Sequence, residues 1–204
     1  MKTVLILSGP THEYFDPVRF IGNASSGKMG KALAEEALKR GMEVEFISGP
    51  VPAGNLPDTA HIIHVTSAEE MLAAARKKFA GADLIIFAAA VADFQPLEKS
   101  AEKFPKVGAN VTIELKPTPD IAATLCANKR KDQVAIGFAL QTHDGEAKAR
   151  EKLISKNLDV IILNTPATLG ADSGLFTWID SKGSENWGLL TKDECSKRTF
   201  GKVR

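Results

Sequence analysis

The sequence predicts a single α/β domain: a doubly wound, mostly parallel Rossmann-like sheet with helices on both faces, plus a β arm or hairpin. Apolar runs of strand length alternate with segments of helical period along most of the 204 residues, the pattern of stacked βα units. Two early runs stop at the same short loop, Ser8-Gly9-Pro10 and Ser48-Gly49-Pro50, as buried parallel strands do where they deliver a loop to a ligand. The length lets one core close without disulfide or metal staples, so residues 1–204 are read as one domain.

Residues 3–7, TVLIL, open the sheet as a buried strand. Residues 28–40 place Met29, Ala32, Leu33 and Ala37 at helical spacing, and Gly41 stops the helix. A strand over 42–47 follows, then a short strand over 61–65. A helix over 67–80 starts at Ser67 with Glu70 three positions on, a capping box. Strand 83–88, helix 120–127, strand 134–138, helix 145–156 and strand 160–163 continue the alternation. Residues 94–119 break it: they are rich in Lys and Pro and hold one alternating strand, residues 111–115, so they read as a functional or disordered connection. In the tail, residues 176–180 and 187–190 flank Ser181-Lys182-Gly183-Ser184 as a hairpin, and a short helix ends the chain.

Charge nearly cancels, with 26 Lys plus Arg against 25 Asp plus Glu, so no global field draws the chain to nucleic acid or a membrane surface. Any anionic ligand needs a local site. Cys126 and Cys195 form no CxxC and read as buried thiols of a reducing compartment. The apolar start is too short for a signal peptide, and no run reaches the ~18 apolar residues of a membrane span, so a soluble, cytoplasmic chain is expected.

Three stretches carry chemistry. Gly22-Asn23-Ala24-Ser25-Ser26-Gly27-Lys28 opens a helix, whose unpaired amides and dipole favour an anion. It is neither a dinucleotide fingerprint nor a P-loop: G-x-G-x-x-G is absent, and Met29 stands where Ser or Thr would hold Mg²⁺. A plain Ser-capped helix start remains the other reading of this stretch. In the second stretch, Phe87-Ala88-Ala89-Ala90-Val91-Ala92-Asp93, small residues at a strand end admit a flat ligand to the backbone. Asp93 could then accept its hydrogen bonds or help hold a metal ion, or simply cap a turn.

The third is a set of lysines: Lys99, Lys103 and Lys106 in the irregular connection, and Lys148, Lys152 and Lys156 on one helix face. Fixed ammonium groups suit a triphosphate, although spacing alone favours a solvated face for the helical three. Thr118-Pro119-Asp120-Ile121 reads as a loop entering a helix. His12, His61, His64 and His143 lack paired spacing, and none is assigned to a metal.

Six ordered blocks, "SGPTHEYFDPVRFIGNASSGKMG", "AAAVADFQP", "EKFPK", "PTPDI", "IGFALQT" and "KLISKNLDVIILN", together with the tail, resemble the phosphopantothenoylcysteine synthetase family of coenzyme A biosynthesis. In many bacteria that family forms the C-terminal half of a bifunctional decarboxylase/synthetase flavoprotein. The resemblance implies a ligase that joins 4′-phosphopantothenate to cysteine through an acyl nucleotide, using CTP, or ATP as the second choice, with Mg²⁺. It implies catalytic roles for Asn23, at the acyl-phosphate, and for Lys103, on a mobile loop. It places Phe87, Ala88, Ala89 and Asp93 at the nucleotide, Thr118, Pro119, Asp120 and Ile121 at the base and ribose, and Phe138 at the base. Lys152 and Lys156 fall on the triphosphate, while Ser25, Ser26 and Gly27 fall in the substrate phosphate or acyl pocket. A homodimer with an extended arm is implied, with residues 107–116 or the 176–190 hairpin as candidates for the arm, and the decarboxylase is expected either on a separate protein or on sequence outside these residues. Three positions depart from the family pattern: Pro105 replaces one lysine of K-x-K-K, Thr118 stands for the usual Asn, and Gln141 for the usual Glu.

An NAD(P)-dependent reductase would share the βα alternation, but it lacks its fingerprint here, and Tyr14 is the only tyrosine, which rules out a Tyr-x-x-x-Lys pair. A non-catalytic nucleotide-binding module would leave Asn23 and Lys103 without a role.

Overall fold

A computed structural model of the chain describes residues 1–58, 61–106, 108, 110–141 and 144–203. His143, and Thr142 of the "IGFALQT" block, lie outside the described residues. The elements follow in the order β1 (Thr3–Ser8), β2 (His12–Tyr14), β3 (Phe20–Gly22), α1 (Lys28–Lys39), β4 (Glu43–Ser48), β5 (His61–His64), α2 (Ala68–Phe79), β6 (Leu84–Phe87) and β7 (Phe94–Pro96). Then come β8 (Leu115–Pro117), α3 (Ile121–Cys126), β9 (Val134–Leu140), α4 (Gly145–Ser155), β10 (Val160–Asn164), β11 (Ser173–Asp180), β12 (Gly183–Thr191) and α5 (Lys192–Lys202).

Eight strands form the main sheet in the order β12-β11-β10-β9-β6-β1-β4-β5. The six strands from β10 to β5 run parallel, and β11 and β12 close one edge antiparallel. The chain winds outward from β1 to β4 and β5, then returns to the other side of β1 with β6. That reversal makes the C-terminal ends of β1 and β6 a topological switch point, where open α/β sheets bind ligands. Val4 to Leu7 and Leu84 to Phe87 are buried on both sheet faces, which is why these central strands read as unbroken apolar runs.

Two core layers lie on opposite faces. One joins Leu5, Leu7, Ile85 and Ile161 to Met71, Leu125 and Leu153 of α2, α3 and α4. The other joins Val4, Ile6, Phe46, Ile86 and Ile162 to Leu33 of α1 and to Cys195 and Phe200 of α5. Ser67 and Glu70 form the expected capping box at the start of α2, and Thr191 with Glu194 forms another at α5. Among the described residues no helix is long and apolar enough to cross a membrane.

The structure departs from expectation around the irregular connection. Residues 111–114 are not a strand: four of the five residues 111–115 are exposed, and only Ile113 is partly covered. The strand is instead Leu115–Pro117, paired antiparallel to Phe94–Pro96. A second small hairpin, β2–β3, fills the link between β1 and α1, pairing His12 with Gly22 and Tyr14 with Phe20. The tail hairpin is longer than expected and built into the main sheet edge, so the 176–190 candidate is no projecting arm.

Candidate active site

A cleft of about 610 Å³ opens at the switch point, between the ends of β1, β6, β9 and β10. It gathers Asn23, Ser25, Ser26, Gly27, Phe87, Ala88, Ala89, Asp93, Thr118, Pro119, Asp120, Ile121, Phe138, Lys152 and Lys156 in its walls. Residues from five separate sequence blocks thus share one cavity. Lys103 is exposed on the connection after β7 and does not line it, and Lys148 is exposed outside it.

The first wall is the start of α1. Its N-cap is Gly27 at φ 76°, ψ −6°, with no side-chain cap and no acidic residue in the first turn. The Ser-capped helix start therefore does not form: Ser25 and Ser26 lie in the lead-in, where the Ser25 amide donates to Asn23 O at 2.8 Å and Asn55 Nδ2 donates to Ser26 O at 2.9 Å. The first amides of α1 keep their capacity for an anion from the cleft. Left-handed backbone favours glycine at Gly27. A Cβ on Gly30 would lie 2.0 Å from Ser8 Oγ, so only glycine lets α1 approach the end of β1 this closely.

The second wall is the loop after β6, held by three side chains. Asn23 Nδ2 donates to Ala90 O at 3.3 Å and to Val91 O at 3.0 Å. The Ala92 amide donates to Thr11 Oγ1 at 3.0 Å, and Thr118 Oγ1 donates to Ala92 O at 2.5 Å. The Thr118 amide also donates to Asp93 O at 3.0 Å. These bonds present the small faces of Ala88 and Ala89 to the cavity and leave the Asp93 carboxylate exposed at its rim.

The third wall joins the start of α3 to the end of α4. Asp120 caps α3 by accepting from the Ala123 amide at 3.0 Å, while Lys156 Nζ lies 2.9 Å from Asp120 Oδ2. Burial disfavours the Asp120 charge, but the Ala123 amide, Lys156 and Lys152 outweigh it and hold its pKa below the usual aspartate value. Spacing suggested a solvated lysine face; the fold instead turns Lys152 and Lys156 into the cleft.

Sequence reasoning missed a fourth wall. Lys28 Nζ reaches Asp172 Oδ1 at 2.6 Å and Gly170 O at 3.1 Å, tying the start of α1 to the loop before β11. Lys192 is buried at the start of α5; its ammonium donates to Ala171 O and to Thr168 O, the latter at 3.3 Å. Desolvation, with Lys28 nearby, lowers its pKa. Asn164 Oδ1 and Thr168 Oγ1 are buried without a hydrogen-bond partner among the described residues, and both residues line the cleft. Position at the end of β10 could have marked Asn164. Nothing local marks Lys192, whose burial is a tertiary effect.

Among the described residues no group of three or more His, Cys, Asp or Glu side chains could hold a metal ion. Asp93 and Asp120 are both exposed at the cleft, and of the two only Asp120 is engaged by a lysine, Lys156, among the described residues. This donor set fits a Mg²⁺ carried mainly by phosphate and water, not a protein cage.

Residues 1–204 match the family described as the DNA/pantothenate metabolism flavoprotein C-terminal domain. The chain is 44% identical over 180 residues to the coenzyme A biosynthesis bifunctional protein CoaBC of Bacillus subtilis, covering 86% of this chain and 44% of that one. It is 42% identical over 207 residues to a protein named cysteine/cysteine sulfinic acid decarboxylase, from an unknown prokaryotic organism, covering 99% of this chain and 58% of that one. The chain thus spans about half the length of the curated relatives it matches. A crystal structure of the C-terminal domain of CoaBC superposes with a TM-score of 0.84 at 38% identity, covering 99% of this chain and 93% of that one. The chain belongs to the DNA/pantothenate metabolism flavoprotein C-terminal domain family, the family of the CoaBC C-terminal domain.

Proposed function

We propose that this chain is a phosphopantothenate–cysteine ligase, working through an acyl nucleotide formed from CTP, with ATP as the second candidate. The observation that carries the reading is the single cleft, in which an uncapped helix start, a strand end of small residues and two lysines converge in a chain of this family.

A carboxylate is a poor electrophile, so it must first be activated. In the first step a carboxylate oxygen of 4′-phosphopantothenate bonds to the α-phosphorus of the nucleotide, and the bond to the leaving pyrophosphate breaks. Ala88 and Ala89 let base or ribose approach the β6 end. Thr118 to Ile121 flank it, with Phe138 against the base, while Lys152 and Lys156 carry charge for the phosphates. In the second step the cysteine nitrogen bonds to the acyl carbon, the acyl–oxygen bond to the nucleotide breaks, and the amine proton is lost to solvent. The acyl-phosphate is assigned to Asn23, with Ser25, Ser26 and Gly27 beside it in the cleft wall. Lys103, exposed outside the cleft, would reach the site by moving toward it from the segment it shares with Phe104. When bound, Mg²⁺ would neutralise phosphate charge, with Asp93 as its protein ligand.

The functional unit is proposed to be a homodimer. The two small hairpins and the residues beside them expose Val18, Phe20, Phe94, Leu97 and Leu115, apolar side chains that a second copy would cover. The decarboxylase name of one relative describes a protein of which this chain covers 58%. Mass spectrometry of a reaction with CTP, Mg²⁺, 4′-phosphopantothenate and cysteine tests the reading: it should find the amide product and the nucleoside monophosphate. NADPH oxidation without that product would favour the reductase instead.

A further inference from the structure

We propose that Asp16 is a positioning residue: its buried carboxylate anchors the chain at Phe104 to the β2–β3 hairpin and so fixes the point from which Lys103 reaches toward Asn23. The inference rests on the ligase reading for the roles of Lys103 and Asn23, and on geometry for the lock itself. Asp16 is 2% exposed in a surface turn, an unusual place for an aspartate. Its Oδ1 accepts from the Val18 amide at 2.8 Å and the Arg19 amide at 2.7 Å, closing the hairpin turn. Those two bonds alone would account for a turn aspartate.

The other oxygen reaches much farther along the chain. Asp16 Oδ2 accepts from Arg19 Nη1 at 3.1 Å and from the Phe104 amide at 3.3 Å, 88 residues away in sequence. Arg19 Nη2 completes the clamp by donating to Phe104 O at 3.3 Å. Two further contacts dock the same loop: the Ser100 amide donates to Phe15 O at 2.9 Å, and the Phe15 and Phe104 rings lie 6.1 Å apart. Phe104 is thus held at both its N–H and its C=O, and Lys103 is the residue before it. The hairpin that does the holding ends at Gly22, immediately before Asn23. One carboxylate therefore joins the segment that carries Lys103 to the hairpin that leads into Asn23, 80 positions away in the sequence, while Asp16 itself does not line the cleft. A charged acceptor suits this place because it serves four donors at once, and replacing it by an amide turns an N–H toward the Phe104 N–H.

Asp16→Asn keeps an oxygen for the Val18 and Arg19 amides, so the hairpin should fold and only the loop docking should fail. Hydrogen exchange reads the docking directly: the Phe104 amide should lose protection by roughly tenfold or more, with the main-sheet amides unchanged. For ligase turnover, D16N should lower kcat by about 10- to 100-fold with little change in the nucleotide KM, because a misplaced group costs rate. In a Lys103→Ala background the same substitution should cost less than about threefold, since its route of action is already gone. Equal losses in both backgrounds would overturn the positioning role, and so would unchanged Phe104 exchange. If D16N proves unfolded, Arg19→Gln, which removes the guanidinium side of the clamp, must give the same exchange change and the same non-additivity with Lys103→Ala. If the unaltered chain releases no pyrophosphate, the ligase reading fails and, with it, any catalytic consequence of the lock, while the exchange measurement decides the lock by itself.

Discussion

The side-chain amide of Asn23 donates to Val91 O at 3.0 Å and to Ala90 O at 3.3 Å, joining the loop before α1 to the loop after β6. A donor is needed there because both acceptors are carbonyls. Asn23→Asp would set a carboxylate against two carbonyl oxygens and remove the donors. The variant is expected to bind nucleotide more weakly as this loop loosens, and at saturating nucleotide to stall before amide formation, with the acyl nucleotide detected by mass spectrometry. Full turnover without trapped intermediate would contradict that role.

Lys156 lies 2.9 Å from Asp120 and faces the cleft beside Lys152. In the ligase reading its ammonium serves the nucleotide phosphates, so Lys156→Gln should raise the nucleotide KM by roughly tenfold or more, the scale of one lost charge-assisted hydrogen bond. Steady-state kinetics against CTP and ATP check this. The effect on stability should be small, because the pair is partly exposed.

Thr118 Oγ1 donates to Ala92 O at 2.5 Å and helps shape the loop after β6. Thr118→Val keeps the shape and removes the donor. Leaving this carbonyl short of a partner should cost about 1–3 kcal/mol, read as a lower denaturant midpoint at unchanged slope. Thr118→Asn, which restores the usual family residue, should recover much of that loss if its amide reaches the same carbonyl.

Burial pushes the Cys126 thiol up to about 11 and the Cys195 thiol up to about 12. Both are free and buried. At pH 8 the folded protein should take up no iodoacetamide at either site, and both should label in denaturant, as quantified by peptide mass spectrometry. Rapid labelling of the native protein would show that one of them is reactive.

Burial also disfavours the Asp16 charge, but the Val18, Arg19 and Phe104 amides and the Arg19 guanidinium outweigh it and lower its pKa. A group whose folded pKa lies below its unfolded value adds stability that is complete above about pH 4–5 and is lost as pH falls through the folded value. Asp16→Asn removes that titration. The variant should be less stable at pH 7 and should lose less stability between about pH 5 and 3 than the unaltered chain, as followed by urea unfolding. Parallel pH curves for the two proteins would contradict this.

The main sheet was legible because its central strands are buried on both faces and therefore read as unbroken apolar runs, Val4 to Leu7 above all. The small hairpins were not: β2, β3 and β7 have three residues each, too few for any period to show, and they pair only in two-stranded sheets. In the site, spacing marked the turn at Gly27 and the small residues after Phe87. It misjudged Lys152 and Lys156, because which face of α4 meets the cleft is decided by packing. Their placement came from family resemblance, and the cleft now contains both. Asp16 gave no local signal beyond an aspartate before proline, since its distinguishing bond is to a residue 88 positions on.

Pyrophosphate release is the most direct test of the ligase reading. With Mg²⁺ and CTP or ATP, the reading predicts pyrophosphate that depends on 4′-phosphopantothenate, and, when cysteine is added, one amide product for each pyrophosphate. No pyrophosphate with either nucleotide would contradict it.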